Sequence, residues 1–373
     1  MAKKSKSKKG SARGRGRRGV ASPATRTAER RRGDLNVPTT ENDNFSFAVD
    51  DLVPEDKQGT SRYLDVVQWN LEWFGAGGQH AEFSRKRLPM IIDILDALNG
   101  DLFILQEIAG PTRDGRREGA LDVVAQTLTQ RDAGAYVVDY THAGGQQRVA
   151  MMWDTDVLKA RTEVEQLFPQ GTHKLSNGKD AFATRTPLYG YFKARPINAD
   201  GSPGSSGYFE FQALGVHLKA MADGAEQREE SARVLVKWMR DEAPLVDADV
   251  MIMGDFNAPP NDPCWRPFHQ LENDGKAKFQ SINDPSDFSY LWLENTTSKF
   301  VSKIDLAVLS LASAERVVGD VARAVRWKPI DEALRDSGAL TAPRVREVMQ
   351  LLKDELGDHL PLATRFYFNE PTG

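Results

Sequence analysis

The sequence predicts an α/β protein in which mainly antiparallel sheets carry helices on their outer faces. Short apolar runs rich in β-branched and aromatic residues outnumber the segments with helical periodicity, and most of these runs follow one another directly. A purely parallel sheet would need a helical crossover between successive strands. The composition, with 40% hydrophobic and 27% charged residues, is typical of a folded globular protein and excludes coiled-coil, collagen-like and wholly disordered chains.

The predicted strands are short apolar runs bounded by polar or turn-forming residues. In chain order they are residues 63–69, 101–106, 135–140, 148–153, 187–194, 208–218, 249–254, 303–309 and 360–368. Three helices are predicted from apolar residues that recur at i, i+3, i+4 and i+7, starting at Leu88, Ala232 and Val345. Pro89 is compatible with the first helix, because the first turn needs no N–H donor.

The charge of the chain is unevenly distributed. Residues 1–33 carry thirteen Lys and Arg and one Glu, a net charge of +12, whereas the other 340 residues hold 36 basic and 52 acidic residues, a net charge of −16. A basic segment rich in Gly, Ser and Ala cannot bury enough apolar surface to fold. We therefore expect residues 1–60 to form a disordered basic N-terminal arm and a polar linker, with order beginning near Arg62 and a catalytic domain over residues 61–370. The arm would bind a polyanion such as nucleic acid by releasing phosphate counterions, or would serve as a solubilising or targeting tail.

The expected compartment is the cytoplasm. Cys264 is the only cysteine, which excludes an internal disulfide and argues for a reducing environment. No apolar run approaches the ~18 residues that a bilayer requires. The basic head also lacks the apolar region of a secretory signal. We therefore expect no membrane segment.

Polar side chains recur at the ends of the predicted apolar strands. Asn70 and Glu107 each follow such a run, His217 lies within one, and Asp255 and Asn257 follow another. A single acid at such a position is explained by a loop cap. Several acids, amides and a histidine together are better explained by a shared divalent cation, because a buried charge needs a compensating partner.

Six short motifs resemble those of a known superfamily. They are Gln68-Trp-Asn70-Leu-Glu72, Leu105-Gln-Glu107, Gly215-Val-His217-Leu, Gly254-Asp255-Phe-Asn257, Lys303-Ile-Asp305 and Gly357-Asp358-His359-Leu-Pro361. In content and order they resemble the endonuclease/exonuclease/phosphatase superfamily, which includes DNase I-like and AP endonuclease-like enzymes. The resemblance covers about residues 62–368 and implies a four-layered α/β sandwich, with two packed, mainly antiparallel sheets flanked by helices. Two departures are Gly357, where most relatives have Ser, and a longer segment at about residues 311–356, which we interpret as a helical insertion.

The resemblance also implies a metal site for Mg²⁺ or Mn²⁺. It makes Glu107 the principal carboxylate ligand, supported by Asn70 and Asp358. Such hard cations prefer oxygen ligands. Glu72 matches a position that is acidic in some relatives. It is a candidate ligand of a second cation, or a residue that orients a ligand of the first.

The remaining implied site residues would handle the phosphate and the attacking water. His359 would hydrogen-bond the scissile phosphate or help to activate water, with Asp305 fixing its tautomer and orientation. Asp255 and Asn257 would position the water and the phosphoryl oxygens, and His217 would contact phosphate or protonate the leaving group. One further residue, Arg185, is a candidate for binding two phosphate oxygens, and a surface ion pair explains it equally well.

The function that follows is divalent-metal-dependent hydrolysis of a phosphodiester by direct attack of water. The basic arm favours a nuclease that acts on nucleic acid, with DNA preferred over RNA. One alternative is a phosphatase or phosphodiesterase of a small or lipid-linked phosphate. The acidic remainder of the chain counts against a polymeric polyanion, because it repels phosphate unless local patches near Arg185, Lys219, Lys299 and Lys303 invert the field. Another is a catalytically silent polyanion-binding protein. It is disfavoured because every reactive position is filled.

Overall fold

The computed structural model describes residues 45–369 except 112–117, 132, 183, 199–203, 205–206, 283–286, 294–300 and 320–321. The basic segment of residues 1–33 and the following residues 34–44 lie outside the described part, so their expected disorder stays a prediction. Within the described part, each helix is too short or too polar to cross a bilayer.

The described residues form fifteen strands and seven α-helices. The strands are β1 (Leu64–Phe74), β2 (Leu102–Ile108), β3 (Tyr136–Tyr140), β4 (Arg148–Asp154), β5 (Leu158–Ala160), β6 (Glu165–Gln166), β7 (Leu188–Ala194), β8 (Phe209–His217), β9 (Val250–Asp255), β10 (Ala277–Gln280), β11 (Tyr290–Leu291), β12 (Val301–Ser302), β13 (Asp305–Ser310), β14 (Arg323–Ala324) and β15 (Leu362–Phe366). The helices are α1 (Ala81–Leu98), α2 (Ala120–Gln130), α3 (Ala225–Asp241), α4 (Arg266–Asn273), α5 (Leu311–Glu315), α6 (Lys328–Ser337) and α7 (Pro343–Leu356). The three helices predicted from apolar periodicity correspond to α1, α3 and α7.

Two large sheets contain most of the strands. Sheet 1 has the order β14-β15-β1-β2-β4-β3, and sheet 2 has the order β10-β13-β9-β8-β7-β5, with β6 also paired to β7. Only β1 with β2 and β8 with β9 are parallel among the described strand pairs of these two sheets. The predicted mainly antiparallel architecture is therefore confirmed.

The inner faces of the two sheets pack on each other through every second side chain of their strands. Val66 and Ile104 of sheet 1 and Phe211, Met253 and Ala307 of sheet 2 are fully buried in one apolar cluster. The intervening residues of the same strands point outward, toward the helices. This alternation decides which strand residues face the cleft between the sheets.

Helices cover both outer faces of the sandwich. The outer face of sheet 1 packs in one apolar cluster with α1, α2, α6 and α7, and the outer face of sheet 2 packs with α3 and α4. The protein is thus a four-layered α/β sandwich. The helices of the predicted insertion at 311–356 include α6 and α7, which belong to the outer layer of sheet 1.

Residues 45–60, which the composition assigned to a linker, pack on the domain. Leu52 and Val53 are each only 1% exposed and lie in the apolar cluster of sheet 1 and its helices. The N–H of Lys328 donates to the carbonyl of Leu52 at 3.2 Å. The folded part of the chain therefore begins before Arg62, since Leu52 and Val53 attach this segment to the domain. The rest of the segment is too polar to show helical or strand periodicity.

We expect Leu52→Ala to lower the free energy of unfolding by about 2–4 kcal/mol, since it leaves a cavity in a packed cluster. The exposed Leu245, of which 86% is accessible, provides the matched control, and Leu245→Ala should change stability by less than about 0.5 kcal/mol. Urea denaturation of both variants measures the difference. Equal effects would show that the segment around Leu52 contributes nothing to the fold.

Candidate active site

The candidate site lies at one end of the sandwich, where strand ends of both sheets meet. The parallel pairs β1–β2 and β8–β9 end there, whereas β13 and β15 begin there because they run antiparallel to β9 and β1. Asp255 is in register with His217 on one side and with Asp305 on the other. These three residues and Asn70 continue the inward-facing series of their strands. Their side chains are therefore directed into the mouth of the cleft between the sheets.

Glycine is required before Asp255. Gly254 has φ +146°, and a Cβ built on it would lie 2.1 Å from the carbonyl oxygen of Val216 on the neighbouring strand. Any other residue would push β8 and β9 apart at the point where they deliver His217 and Asp255. This close approach gives a physical reason for the glycine of the Gly-Asp-Phe-Asn motif.

Strained backbone is concentrated at the site. Glu72, Trp73, Glu107 and Asn257 have φ values of 39°, 56°, 59° and 57°, in the left-handed region that non-glycine residues rarely occupy. The register of β2 with β4 shifts between Leu105 and Ile108. In a regular strand Glu107 would face the outer helices, so this irregularity is what turns its carboxylate into the cleft. Such strain is typical of functional positions.

The Asp255 carboxylate is the centre of the hydrogen-bond network. Its Oδ2 accepts from Asn70 Nδ2 at 3.0 Å and from Asn257 Nδ2 at 3.1 Å, and its Oδ1 accepts from the backbone N–H of Asn257 at 2.8 Å. Its Oδ2 also lies 3.5 Å from His217 Nε2 and 3.9 Å from His359 Nε2. Burial raises the pKa of Asp255 to about 7, although His359 opposes the shift. The carboxylate is therefore suited to accept a proton near neutral pH.

His359 forms a carboxylate–imidazole pair with Asp305. The Nδ1 atom of His359 lies 2.9 Å from Asp305 Oδ2, and the carboxylate accepts the Nδ1 proton. Burial alone would lower the pKa of His359, but the charge and hydrogen bond of Asp305, together with Asp255 and Asp358, raise it well above its usual range. Its Nε2 atom faces Asp255 and Asp358. This arrangement gives a charged N–H donor aimed at the cleft.

His217 and Arg185 are held together beside Asp255 and Glu107, and His217 Nε2 lies 3.7 Å from Glu107 Oε1. Arg185 Nη1 lies 2.7 Å from His217 Nε2, and because a guanidinium can only donate, this ring nitrogen accepts. The proton is then on Nδ1, which is buried without a hydrogen-bond partner among the described residues. Burial, followed by the charges of Arg185 and His359, lowers the pKa of His217 well below its usual value. His217 is therefore neutral here and supports Arg185.

Gln147 connects Arg185 to Glu107. Its Nε2 donates to Glu107 Oε2 at 2.9 Å, and its Oε1 accepts from Arg185 Nη2 at 2.8 Å. Glu107 also accepts from the backbone N–H of Trp73 at 3.3 Å and lies 3.4 Å from Asn70 Nδ2. The orientation of the Glu107 carboxylate is thus fixed from three directions.

Glu72 and Asp358 form a second acidic group beside Glu107. The backbone N–H of Asp358 donates to Glu72 Oε2 at 3.1 Å. Burial and then Asp358 raise the pKa of Glu72 to about 7, and burial, with a further contribution from Glu107, raises the pKa of Asp358. The fully buried Arg87 donates to the carbonyls of Leu71 and Glu72, and to that of Leu356 at 2.7 Å. It ties the end of β1 to the end of α7.

Gly357, the position where the motif resemblance implies Ser, packs against the buried Arg87. Gly357 has φ +122°, and a Cβ there would meet Arg87 Nη1 at 3.0 Å and Glu72 Oε2 at 3.3 Å. A side chain at this position would compete with Arg87 for the same space. Glycine at position 357 therefore leaves room for the buried side chain of Arg87.

The donor set fits a hard divalent cation. Glu107, Glu72 and Asp358 bring carboxylate oxygens to one side of the cleft, and their mutual repulsion raises the pKa of Glu72 and Asp358 beyond the effect of burial. A bound cation would relieve this repulsion. In the described part of the chain, no three His, Cys, Asp or Glu side chains form a ready-made metal cage.

The structure brings all the residues predicted for the site to this one cleft. They are Asn70, Glu107, Arg185, His217, Asp255, Asn257, Asp305, Asp358 and His359. The roles assigned to them stay predictions. Sequence reasoning missed Gln147 and Arg87. Gln147 directly precedes β4, and β4 begins at the site. Polar residues just before strands, as well as those just after them, would therefore have indicated it.

Comparison with known proteins identifies the fold. The sequence matches no protein-family model and no curated protein. The structure is similar to an endonuclease/exonuclease/phosphatase from Bacteroides vulgatus, with 13% identity, a TM-score of 0.53 and coverage of 82% of this chain and 99% of that one. It is also similar to a family protein from Bacteroides thetaiotaomicron (18% identity, TM-score 0.50, coverage 82% and 98%) and to the catalytic domain of human Nocturnin (16%, 0.50, 82% and 94%). The chain therefore has the fold of the endonuclease/exonuclease/phosphatase superfamily.

Proposed function

We propose that the protein is a divalent-metal-dependent phosphodiester hydrolase that cleaves nucleic acid, with DNA preferred, by direct attack of water. The observation that carries the proposal is the convergence of the His359–Asp305 pair, Asp255 and Glu107 at one cleft mouth. A covalent nucleophile is not needed for such a reaction, because the site supplies a base, charged donors and cation ligands. The superfamily fold supports hydrolysis of phosphate esters.

The two faces of the cleft would have different tasks. Glu107, Asn70 and Asp358 would hold the Mg²⁺ or Mn²⁺ ion, which when bound supplies positive charge to the phosphoryl oxygens. His359, charged at neutral pH because of Asp305, would donate from Nε2 to a phosphoryl oxygen. Asp255 would accept a proton from the attacking water.

Arg185 would bind the phosphate, with His217 and Gln147 holding the guanidinium in place. The Arg185 guanidinium carries two donors suited to two phosphate oxygens, and it lies between His217 and Gln147. Asn257 would hold Asp255 in the required orientation through its two hydrogen bonds. His217, which accepts from Arg185, would orient the arginine rather than protonate the leaving group.

The test is an activity panel with purified protein. Plasmid, nicked and single-stranded DNA, RNA and small phosphate esters are incubated with Mg²⁺ and then with EDTA. We expect cleavage of DNA that EDTA abolishes. Turnover of only the small esters would reject the nuclease and favour a phosphatase, an alternative that stays open because the net charge of −16 outside the basic arm opposes binding of a long polyanion. Absence of any EDTA-sensitive turnover would reject the enzymatic proposal.

We expect deletion of residues 1–33 to weaken nucleic-acid binding while leaving kcat at saturating substrate unchanged. The thirteen basic residues of this segment would release counterions from the phosphates, so the loss should be largest at low salt. Binding measured by fluorescence anisotropy between 50 and 300 mM salt, about the range where such effects are large, gives the slope. An unaltered slope would show that the arm does not contact the substrate.

A further inference from the structure

The hairpin strand β11 lies directly beside the residues that supply Asp358 and His359. Tyr290 forms an antiparallel bridge with His359. The N–H of Leu291 donates to the carbonyl of Asp358 at 2.7 Å, and the N–H of Leu360 donates to the carbonyl of Ser289 at the same distance. The position of β11 relative to the site is therefore fixed by these two backbone hydrogen bonds, which together form the bridge.

The residues of this segment alternate between the core and the cleft rim. Leu291 and Leu293 are buried in the apolar cluster of sheet 1. Tyr290 and Trp292 face the other way, and the ring of Tyr290 lies 4.8 Å from the ring of His359. The strand ends at Leu291. If its alternation continues, two residues of extended chain advance ~7 Å, and the indole of Trp292 would lie one step beyond Tyr290 on the same side of the segment.

Trp292 is unusual among the tryptophans. Half of it is exposed, whereas Trp69, Trp153, Trp238, Trp265 and Trp327 are each at most 6% exposed. The seventh, Trp73, is partly buried, and its ring stacks on His80 at 4.4 Å with an angle of 3° between the planes. A single exposed apolar residue is ordinary on a protein surface. An exposed indole on the same side of the segment as Tyr290, whose ring contacts His359, would be suited to a flat ligand.

We propose that Trp292 is a stacking platform for the base next to the scissile phosphate. The favoured substrate is then a nucleic acid strand whose base at that position is unpaired, as in single strands and frayed ends. A base within a duplex is already stacked and paired, and taking it out has an energetic cost. This inference rests on the proposed function and adds to it the strandedness of the substrate.

The first test is binding, measured without turnover. In a Glu107→Gln background, a single-stranded oligonucleotide should quench tryptophan fluorescence, and the Trp292→Phe variant should lose most of that quenching. Because the five most buried tryptophans are inaccessible to a base, the difference between the two proteins isolates Trp292. An oligonucleotide with abasic residues should quench neither. Equal quenching of both proteins by the normal oligonucleotide would overturn the inference.

The second test is kinetic and uses the wild-type background. Stacking of one base on an aromatic ring is worth about 5- to 150-fold, so Trp292→Ala should lower kcat/KM for a single-stranded oligonucleotide by about 10-fold or more. The same variant should match the wild type on an oligonucleotide that is abasic beside the cleaved phosphate. Trp292→Phe should retain most of the activity, and Leu245→Ala, a change in a side chain that is 86% exposed and precedes β9 at the opposite end of sheet 2, should retain all of it.

These outcomes separate the inference from the proposed function. EDTA-sensitive cleavage that Trp292→Ala leaves unchanged would overturn the stacking platform and keep the nuclease. Base-dependent quenching without EDTA-sensitive cleavage would overturn the nuclease and keep the platform as a binding site. Duplex cut as fast as single strands by the wild type would overturn the predicted preference.

Discussion

Glu107→Gln should reduce turnover by at least about 10³-fold while the protein remains folded. The change removes one negative charge and keeps the shape of the side chain, so the hydrogen bonds from Gln147 and Trp73 can still be accepted by the amide oxygen. What is lost is a charged oxygen ligand, and a catalytic cation contributes several kcal/mol to the transition state. Initial rates on a DNA substrate with saturating Mg²⁺ measure the loss.

The control for Glu107→Gln is the same change on the surface of α7. The side chain of Glu347 is 69% exposed and pairs with Arg344, so Glu347→Gln should leave the rate unchanged. Titration calorimetry with Mn²⁺ provides a readout that does not depend on turnover, and we expect at least about 10-fold weaker binding for Glu107→Gln. Wild-type affinity for Mn²⁺ together with wild-type rates would show that Glu107 is not a ligand of the cation.

Asp305→Asn should lower kcat by about 10²- to 10⁴-fold, with a small effect on KM. Asp305 is 1% exposed and accepts the Nδ1 proton of His359 at 2.9 Å. An amide has the same size but no charge, so the imidazole would lose both the stabilisation of its charged form and the fixed position of its proton. Steady-state kinetics with thermal denaturation as the folding control gives both quantities.

A double variant shows whether Asp305 acts through His359. If it does, Asp305→Asn added to His359→Gln should reduce kcat little beyond the loss caused by His359→Gln alone, because the interaction is already removed. Multiplicative losses would contradict the pair and would assign Asp305 an independent role. The pairing of β13 with β9, in which Asp305 is in register with Asp255, makes a direct effect on Asp255 the specific alternative that such a result would support.

The local pattern of the sequence predicted the strands well. The runs that end before Asn70 and Glu107 became β1 and β2, and their polar ends became the site, because alternation and strand direction are local properties of the chain. The pairing of β1 with β15, in which Leu64 meets Phe366, is set by packing over about 300 residues of chain and is not encoded in any short segment. The resemblance of six motifs implied the sandwich architecture but not this pairing.

Other features were missed for specific reasons. The helix α2 carries apolar residues at Leu121, Val124, Ala125 and Leu128, the same spacing that predicted α1, so its signal was present but unused. Arg87 could not be recognised, because an arginine within a helix is usually on the surface, and only the structure shows it buried between β1 and α7. The buried pair of Leu52 and Val53 is too short to be a pattern.

The reacting groups are divided between two separate layers of the molecule. Sheet 1 contributes Asn70 and Glu107, and sheet 2 contributes His217, Asp255 and Asp305, with the apolar contacts of their inner faces as the main connection. Under the proposed function both halves are needed for hydrolysis. A partly unfolded chain in which the two layers separate would then be inactive, even if each sheet kept its hydrogen bonds. Loss of enzymatic rate should consequently precede or coincide with loss of circular dichroism on heating, and never lag behind it.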